Sequence, residues 1–186
     1  MSKTIMLIDG ENLVLRFDAL VKAGRTPKSD VVYRDGIFIW SDGLCGVYAW
    51  DMMRVSYYST FVGDDDALEE LCRFISATKF TYEIDAQNTG RGTLNPHIFK
   101  KTKRSTKAKS VDINITIDAL RHAYARDVER IIICSGDGDY QPLISEIMRQ
   151  GVIAHVAAFS DGCHPKMRYI ADDFTDLDEI YFEKNI

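Results

Sequence analysis

The sequence is sparing with the residues that usually announce a metal site or an export route. Its 186 residues contain four cysteines, Cys45, Cys72, Cys134 and Cys163, far apart and without a CxxC pair. That spacing argues against a zinc site, and with no secretory signal the four read as reduced thiols. The four histidines, His97, His122, His155 and His164, share no ligand spacing. No apolar run approaches the length that crosses a bilayer, so no membrane partner is expected. Met1-Ser2-Lys3-Thr4 leads straight into an apolar stretch instead of a basic and apolar leader, and the expected compartment is cytoplasmic. There are no internal repeats and no linker, and the length suits one domain over residues 1–186 with a substantial core.

Positive charge is outnumbered overall but locally concentrated. A net charge of −5 argues against a general nucleic-acid coat protein. Yet "KKTKRSTKAK", residues 100–109, holds Lys100, Lys101, Lys103, Arg104, Lys107 and Lys109 with no acid. Such a run is either a solvated loop or a phosphate clamp, and its position just before Asp112 favours the clamp.

Five short apolar runs (Ile5–Ile8, Val55–Ser59, Tyr82–Ile84, Arg130–Cys134 and Ile153–Ala157) alternate with segments of helical periodicity at 12–22, 66–76, 111–125 and 140–150. Strands alternating with helices imply βαβ units and a parallel sheet. "RIIIC" is apolar on both faces, as a central covered strand requires. Right-handed crossovers then give an α/β three-layer sandwich whose mostly parallel sheet has about five strands in the order 3-2-1-4-5. Two segments break the rhythm. "VVYRDGIFIW" (31–40) carries Asp35-Gly36 between alternating runs and predicts a β-hairpin inserted within region 31–50. Residues 87–109 read as one long connection without periodicity, the basic loop at its end.

In open α/β sheets, ligands bind beyond the carboxyl ends of the strands where strand order reverses. The first strand ends in "DGEN", delivering Asp9 and Asn12 to that point, and the fourth ends in "SGDGDY", delivering Ser135, Asp137 and Asp139. Asp112 opens the helix before the fourth strand, while Asp118, six residues on, lies about 120° around that helix and ranks below it. Asp9, Asn12 and Asp139 are also good helix N-caps; Asp137, in a glycine-flanked loop, has no capping role on this reading. Converging carboxylates raise one another's pKa unless a cation intervenes, and an all-oxygen donor set suits Mg²⁺ or Mn²⁺. Metal ions so held activate water and stabilise a phosphoryl transition state. With the basic run gripping flanking phosphates, the substrate that fits is a phosphodiester polymer.

"LIDGENL", "KSVDINITIDAL", "IIICSGDGDYQPLISEIMRQG" and "YIADDFTDL", in that order, resemble the NYN domain, specifically its LabA-like branch within the PIN-like nuclease fold. The resemblance implies a metal-dependent ribonuclease that leaves a 5′-phosphate and a 3′-hydroxyl. It maps Asp9 and Asn12 onto the first motif, Asp112 and Asp118 onto the second, and Asp137 and Asp139 onto the third. Catalytic and metal-holding roles are then expected for Asp9, Asp112, Asp137 and Asp139, supported by Asn12, Ser135 and Asp118. Ser110 stands where the second motif usually has glycine, and the 31–50 insertion is foreign to a minimal member. RNA over single-stranded DNA rests on the resemblance alone.

Other features have plainer readings. "GDDDALEELCRFI" (63–75) looks like a cation site but is expected to cap a helix, and Asp172-Asp173 to be structural. Of Tyr57 and Tyr58, at least one packs in the core, leaving base stacking open to the other. Tyr33, Phe38 and Trp40 on the hairpin offer a homodimer surface or a substrate flap, with burial against their own domain as the default. Two other functions fit the chain: a non-catalytic regulator that binds nucleic acid or protein, and a small-molecule phosphatase or nucleotidase. The latter lacks a second aspartate two residues after Asp9.

Overall fold

The computed structural model describes residues 3–34, 36–46, 51–85, 87–101 and 109–184. In chain order its elements are β1 (Lys3–Asp9), α1 (Gly10–Lys22), β2 (Val32–Arg34), β3 (Phe38–Trp40), α2 (Gly43–Gly46), β4 (Asp51–Phe61), α3 (Asp65–Ala77), β5 (Lys79–Glu83), β6 (Thr89–Thr93), β7 (Asn95–Lys100), α4 (Lys109–Ala125), β8 (Arg130–Cys134), α5 (Gln141–Arg149), β9 (Ile153–Ala158), α6 (Met167–Ile170), β10 (Asp173–Asp176) and α7 (Asp178–Tyr181). A short 3₁₀ turn, Gly138–Tyr140, precedes α5.

Six strands form one sheet in the order β10-β9-β8-β1-β4-β7, every pairing parallel. The expected 3-2-1-4-5 order holds, extended by β10 at one edge. The strand alternation of β1 splits its apolar residues between two cores. Met6 and Ile8 join Leu13, Val14, Phe17 and Leu20 of α1, with Leu71 and Ile75 of α3, on one face. Ile5 and Leu7 join Val111, Ile115, Ala119 and Ala123 of α4, with Leu143, Ile144 and Ile147 of α5, on the other. Each such residue removed from water contributes roughly 1.5–3 kcal/mol, which is why a strand this apolar is stable only between two helical layers.

Three expectations need correction. The third strand of the sheet is β7, whereas Tyr82 and its neighbours form β5, paired antiparallel with β6 in a separate two-stranded ribbon. "NPHIFK" hides its strand character behind Pro96, which an edge strand tolerates because one side of its backbone makes no ladder. Residues 87–109 are therefore no structureless connection: they contain β6 and β7. The sheet has six strands where about five were expected: Asp173 starts β10, whose four residues are too few to show a period.

The hairpin is present, β2 pairing antiparallel with β3. Its aromatics serve its own domain: Phe38 and Trp40 are buried in the α1-side core, and Tyr33 packs against it. All four cysteines are free thiols. No helix among the described residues is long and apolar enough to cross a membrane.

Candidate active site

The carboxyl end of β1 meets that of its neighbour β8, and the two ends are tied together. Asp9 is 4 % exposed and caps α1, its Oδ1 accepting from the Asn12 backbone N–H at 3.0 Å. Its other oxygen, Oδ2, accepts from the Ser135 hydroxyl at 3.0 Å. Asn12 returns the link, its Oδ1 accepting from the Gly136 N–H at 3.2 Å. Ser135 Oγ in turn accepts from the Asp137 N–H at 3.2 Å. The glycine after Asp9 is sterically required, because a Cβ at Gly10 would stand 2.4 Å from Cε1 of the buried Tyr57 ring.

Asp137 and Asp139 flank Gly138 in the loop after β8. Asp137 caps the 3₁₀ turn, accepting from the Asp139 N–H at 3.0 Å. The expectation that Asp137 has no capping role is thus wrong: an aspartate reaching two residues ahead needs only a turn, not a full helix. Asp139, a plausible cap by residue type, is instead an exposed residue inside the turn, and α5 starts without a side-chain cap. Asp112 lies in the first turn of α4, where the Tyr140 hydroxyl donates to its Oδ1 at 3.1 Å. The loop after β9 backs this arrangement: the His164 N–H donates to the Gly136 carbonyl at 2.9 Å, and its ring occupies the space a side chain at Gly138 would need.

The electrostatics identify these groups as one cluster. Burial pushes the Asp9 carboxyl up to about 7, against the lowering effect of its two hydrogen bonds, with the charges of Asp112 and Glu11 adding to the rise. Asp112 is also raised, first by burial, and further by Asp137, Glu11 and Asp139. The Tyr140 hydroxyl is driven upward by burial and by Asp9, Asp112 and Asp137. Among the described residues, Asp9, Asp112, Asp137 and Asp139 form no ion pair with any lysine, arginine or histidine.

Glu11 and Tyr140 are the participants that sequence reasoning missed. Glu11 accepts from the Thr60 hydroxyl and from Lys101 Nζ, the latter at 2.7 Å. Its position inside "DGEN" was the available signal. Lys101 thus sits at the edge of the acidic cluster, while Lys100 pairs with Asp65 at the start of α3. Lys103, Arg104 and Lys107 lie outside the described residues, as does the side chain of Lys109. Asp118 does not join the cluster: it accepts from the Tyr58 hydroxyl at 2.7 Å and from Arg121 at 3.1 Å. Asp64 caps α3 as expected, bonding the Ala67 N–H at 2.8 Å. Asp172 accepts from the Ala154 N–H, and Asp173 pairs with Arg130.

Among the described residues, no three histidine, cysteine, aspartate or glutamate side chains close on a single point as a metal cage. The donors available are carboxylates, the Asn12 amide and the Ser135 hydroxyl, and both oxygens of Asp9 already accept hydrogen bonds. An open, all-oxygen set fits a hard cation that keeps several waters, as Mg²⁺ does, and does not fit a tightly enclosed ion.

A family model described as the NYN domain matches residues 50–178, a span that includes Asp112, Asp137 and Asp139 and omits Asp9 and Asn12. No curated protein matches the chain. Among solved structures, the crystal structure of a protein of unknown function from Vibrio parahaemolyticus RIMD 2210633 is similar in fold. Its TM-score is 0.60 at 19% identity, covering 98% of this chain and 96% of that one.

Proposed function

The chain belongs to the NYN domain family, a branch of the PIN-like nucleases, and from that premise we propose that it is a Mg²⁺- or Mn²⁺-dependent ribonuclease. One observation carries the reading. Asp9, Asp112, Asp137 and Asp139 gather at adjoining strand and helix ends with no paired cation among the described residues, and Asp9 does so while almost fully buried. A carboxylate so buried either keeps its proton, as burial makes Asp9 do up to about 7, or ionises against a cation supplied from outside, and the neighbouring acids favour the cation.

Asp9, Asp112 and Asp137 would hold the cation, with Asp139 beside them. When bound, a divalent ion there supplies an acidified water and neutralises charge developing on a phosphodiester. The chain's own side chains do the positioning. Ser135 and Asn12 fix the β1 end against the β8 loop, so Asp9 keeps one orientation. Tyr140 holds Asp112 toward the same crevice. Lys101, with the basic run that follows it, attracts the backbone phosphates of a nucleic-acid strand without reading its bases. Hydrolysis would leave a 5′-phosphate and a 3′-hydroxyl.

The openness of the cluster favours a second reading, a non-catalytic protein that binds nucleic acid through the same surface. One experiment separates the two. End-labelled single-stranded RNA and the matching DNA are incubated with Mn²⁺, Mg²⁺ or EDTA, beside an Asp137→Asn variant of verified folding. The nuclease reading expects metal-dependent cutting of RNA that the variant lacks. Binding by both proteins with no cutting under any condition leaves the non-catalytic reading.

A further inference from the structure

On the α4 face of the sheet lies a hollow of about 340 Å³ that runs from Tyr58, His97 and Asp118 to Arg54, Arg121 and Asp127. We propose that this hollow is a nucleotide subsite, taking a nucleotide of the bound strand beyond the cleaved phosphate, with its base against His97 and its phosphate at Arg54. The proposal takes its ligand class from the nuclease reading and adds where a further base goes.

Three relationships support it. The first is continuity with the crevice. Tyr58 is the register partner of Asp9 across the β1–β4 pairing, and Asp118 follows Asp112 on α4. Those six residues of helix rise about 9 Å, and from Tyr58 and Asp118 the hollow runs on toward Arg54, the register partner of Ile5, so it takes a nucleotide further along a strand that has one phosphate at the carboxylates.

The second is a stacking platform already half assembled. The rings of Tyr58 and His97 stack with centroids 4.4 Å apart and planes 16° apart. Tyr58 is wholly buried and its hydroxyl is committed to Asp118, so it serves as backing. His97 is only half-buried, and its ring meets the hollow. Burial lowers the pKa of His97, favouring the neutral imidazole, and Asn95 Nδ2 stands 2.9 Å from its Nε2. A neutral, backed ring is a sequence-tolerant surface for a base, since every base has a π face.

The third is charge. Arg54 is exposed and makes no ion pair among the described residues, although it influences both Tyr58 and His97. Arg121, by contrast, is held by Asp118. An aromatic shelf next to an unpaired guanidinium matches a planar base carrying an anionic phosphate.

The test measures binding separately from cleavage. A short fluorescein-labelled single-stranded RNA is titrated in EDTA with the parent protein and with His97→Ala, His97→Phe and Arg54→Ala, each checked by circular dichroism. His97→Ala should weaken binding about tenfold, and His97→Phe should restore it, since stacking needs a ring and not an imidazole. Arg54→Ala should weaken binding and reduce the dependence of log affinity on log salt by about one contact. Free 5′-AMP should shift the His97 ring resonances in a parent spectrum, which separates a mononucleotide site from one that requires a strand. Equal RNA affinity for the parent, His97→Ala and Arg54→Ala overturns the subsite, as does a phenylalanine variant no better than alanine. The two proposals fail separately. RNA cut with metal by variants that bind normally sinks the subsite alone, whereas loss of binding in His97→Ala with no cutting under any metal keeps the subsite and removes the nuclease.

Discussion

The Ser135 hydroxyl donates to the Asp9 carboxylate from the loop of the neighbouring strand, 3.0 Å away and shielded from solvent. A hydrogen bond to the charged form opposes the effect of burial, so this contact, after that of the Asn12 N–H, helps hold down a pKa that burial drives up. Ser135→Ala should destabilise the protein by about 1–3 kcal/mol at neutral pH, since it leaves a buried carboxylate with one partner fewer. It should also move the acidic limb of the metal-dependent cleavage profile to higher pH. Urea unfolding and a pH–rate series check the two halves. An unchanged profile would show that Asp9 does not govern that limb.

The metal-free protein should lose stability as pH rises from about 4 to about 7. In the unfolded chain Asp9 gives up its proton near 3.8, while the folded protein retains it to about 7. Between those values the folded state binds the extra proton, so raising the pH favours unfolding. Mg²⁺ reverses the trend, because it stabilises the ionised carboxylate and does so more as pH rises. Melting curves across this range in EDTA and in Mg²⁺, compared with Asp9→Asn, isolate the contribution; an identical slope in the variant assigns it elsewhere.

Gly10→Ala should cost about 1–3 kcal/mol although it adds a single methyl group. The new Cβ would overlap Tyr57, whose ring is fully buried and tilted against Phe38 with centroids 4.8 Å apart. Because Gly10 follows Asp9 directly, activity should fall by more than the stability loss alone explains. Thermal denaturation and cleavage assays below the transition check both effects.

Lys101→Ala should change stability by less than about 1 kcal/mol, since its pair with Glu11 is partly solvated. RNA affinity should fall, and the salt dependence of binding should lessen by about one phosphate contact. Affinity measured at several salt concentrations checks this. A uniform slope would mean that Lys101 only balances Glu11.

The sequence carried much of this arrangement because a strand apolar on both faces admits few surroundings. "IMLI" and "RIIIC" reveal the central strands, and the reversal of strand order between them locates Asp9 and the Ser135–Asp139 loop. What escaped has identifiable causes. β7 includes a proline and a lysine, and edge strands accept both. Glu11 lies one residue beyond a glycine, where a carboxylate looks like ordinary helix-start chemistry. Its partner Lys101 comes from a chain segment 90 residues away. The helical angle that ranked Asp118 below Asp112 did carry through: it turns Asp118 toward Tyr58.

The bonds that bring the site together span large chain distances: 126 residues between Asp9 and Ser135, and 124 between Asn12 and Gly136. During synthesis, Asp9 leaves the ribosome long before the segment that orients it exists. An incomplete chain therefore carries the first carboxylate without its holder, and a chain cleaved before β8 loses the geometry even if β1 and α1 persist. The crevice cannot be complete until the loop after β8 has been made, and a fragment ending before Arg130 should fail to cleave nucleic acid even where Lys101 still attracts it.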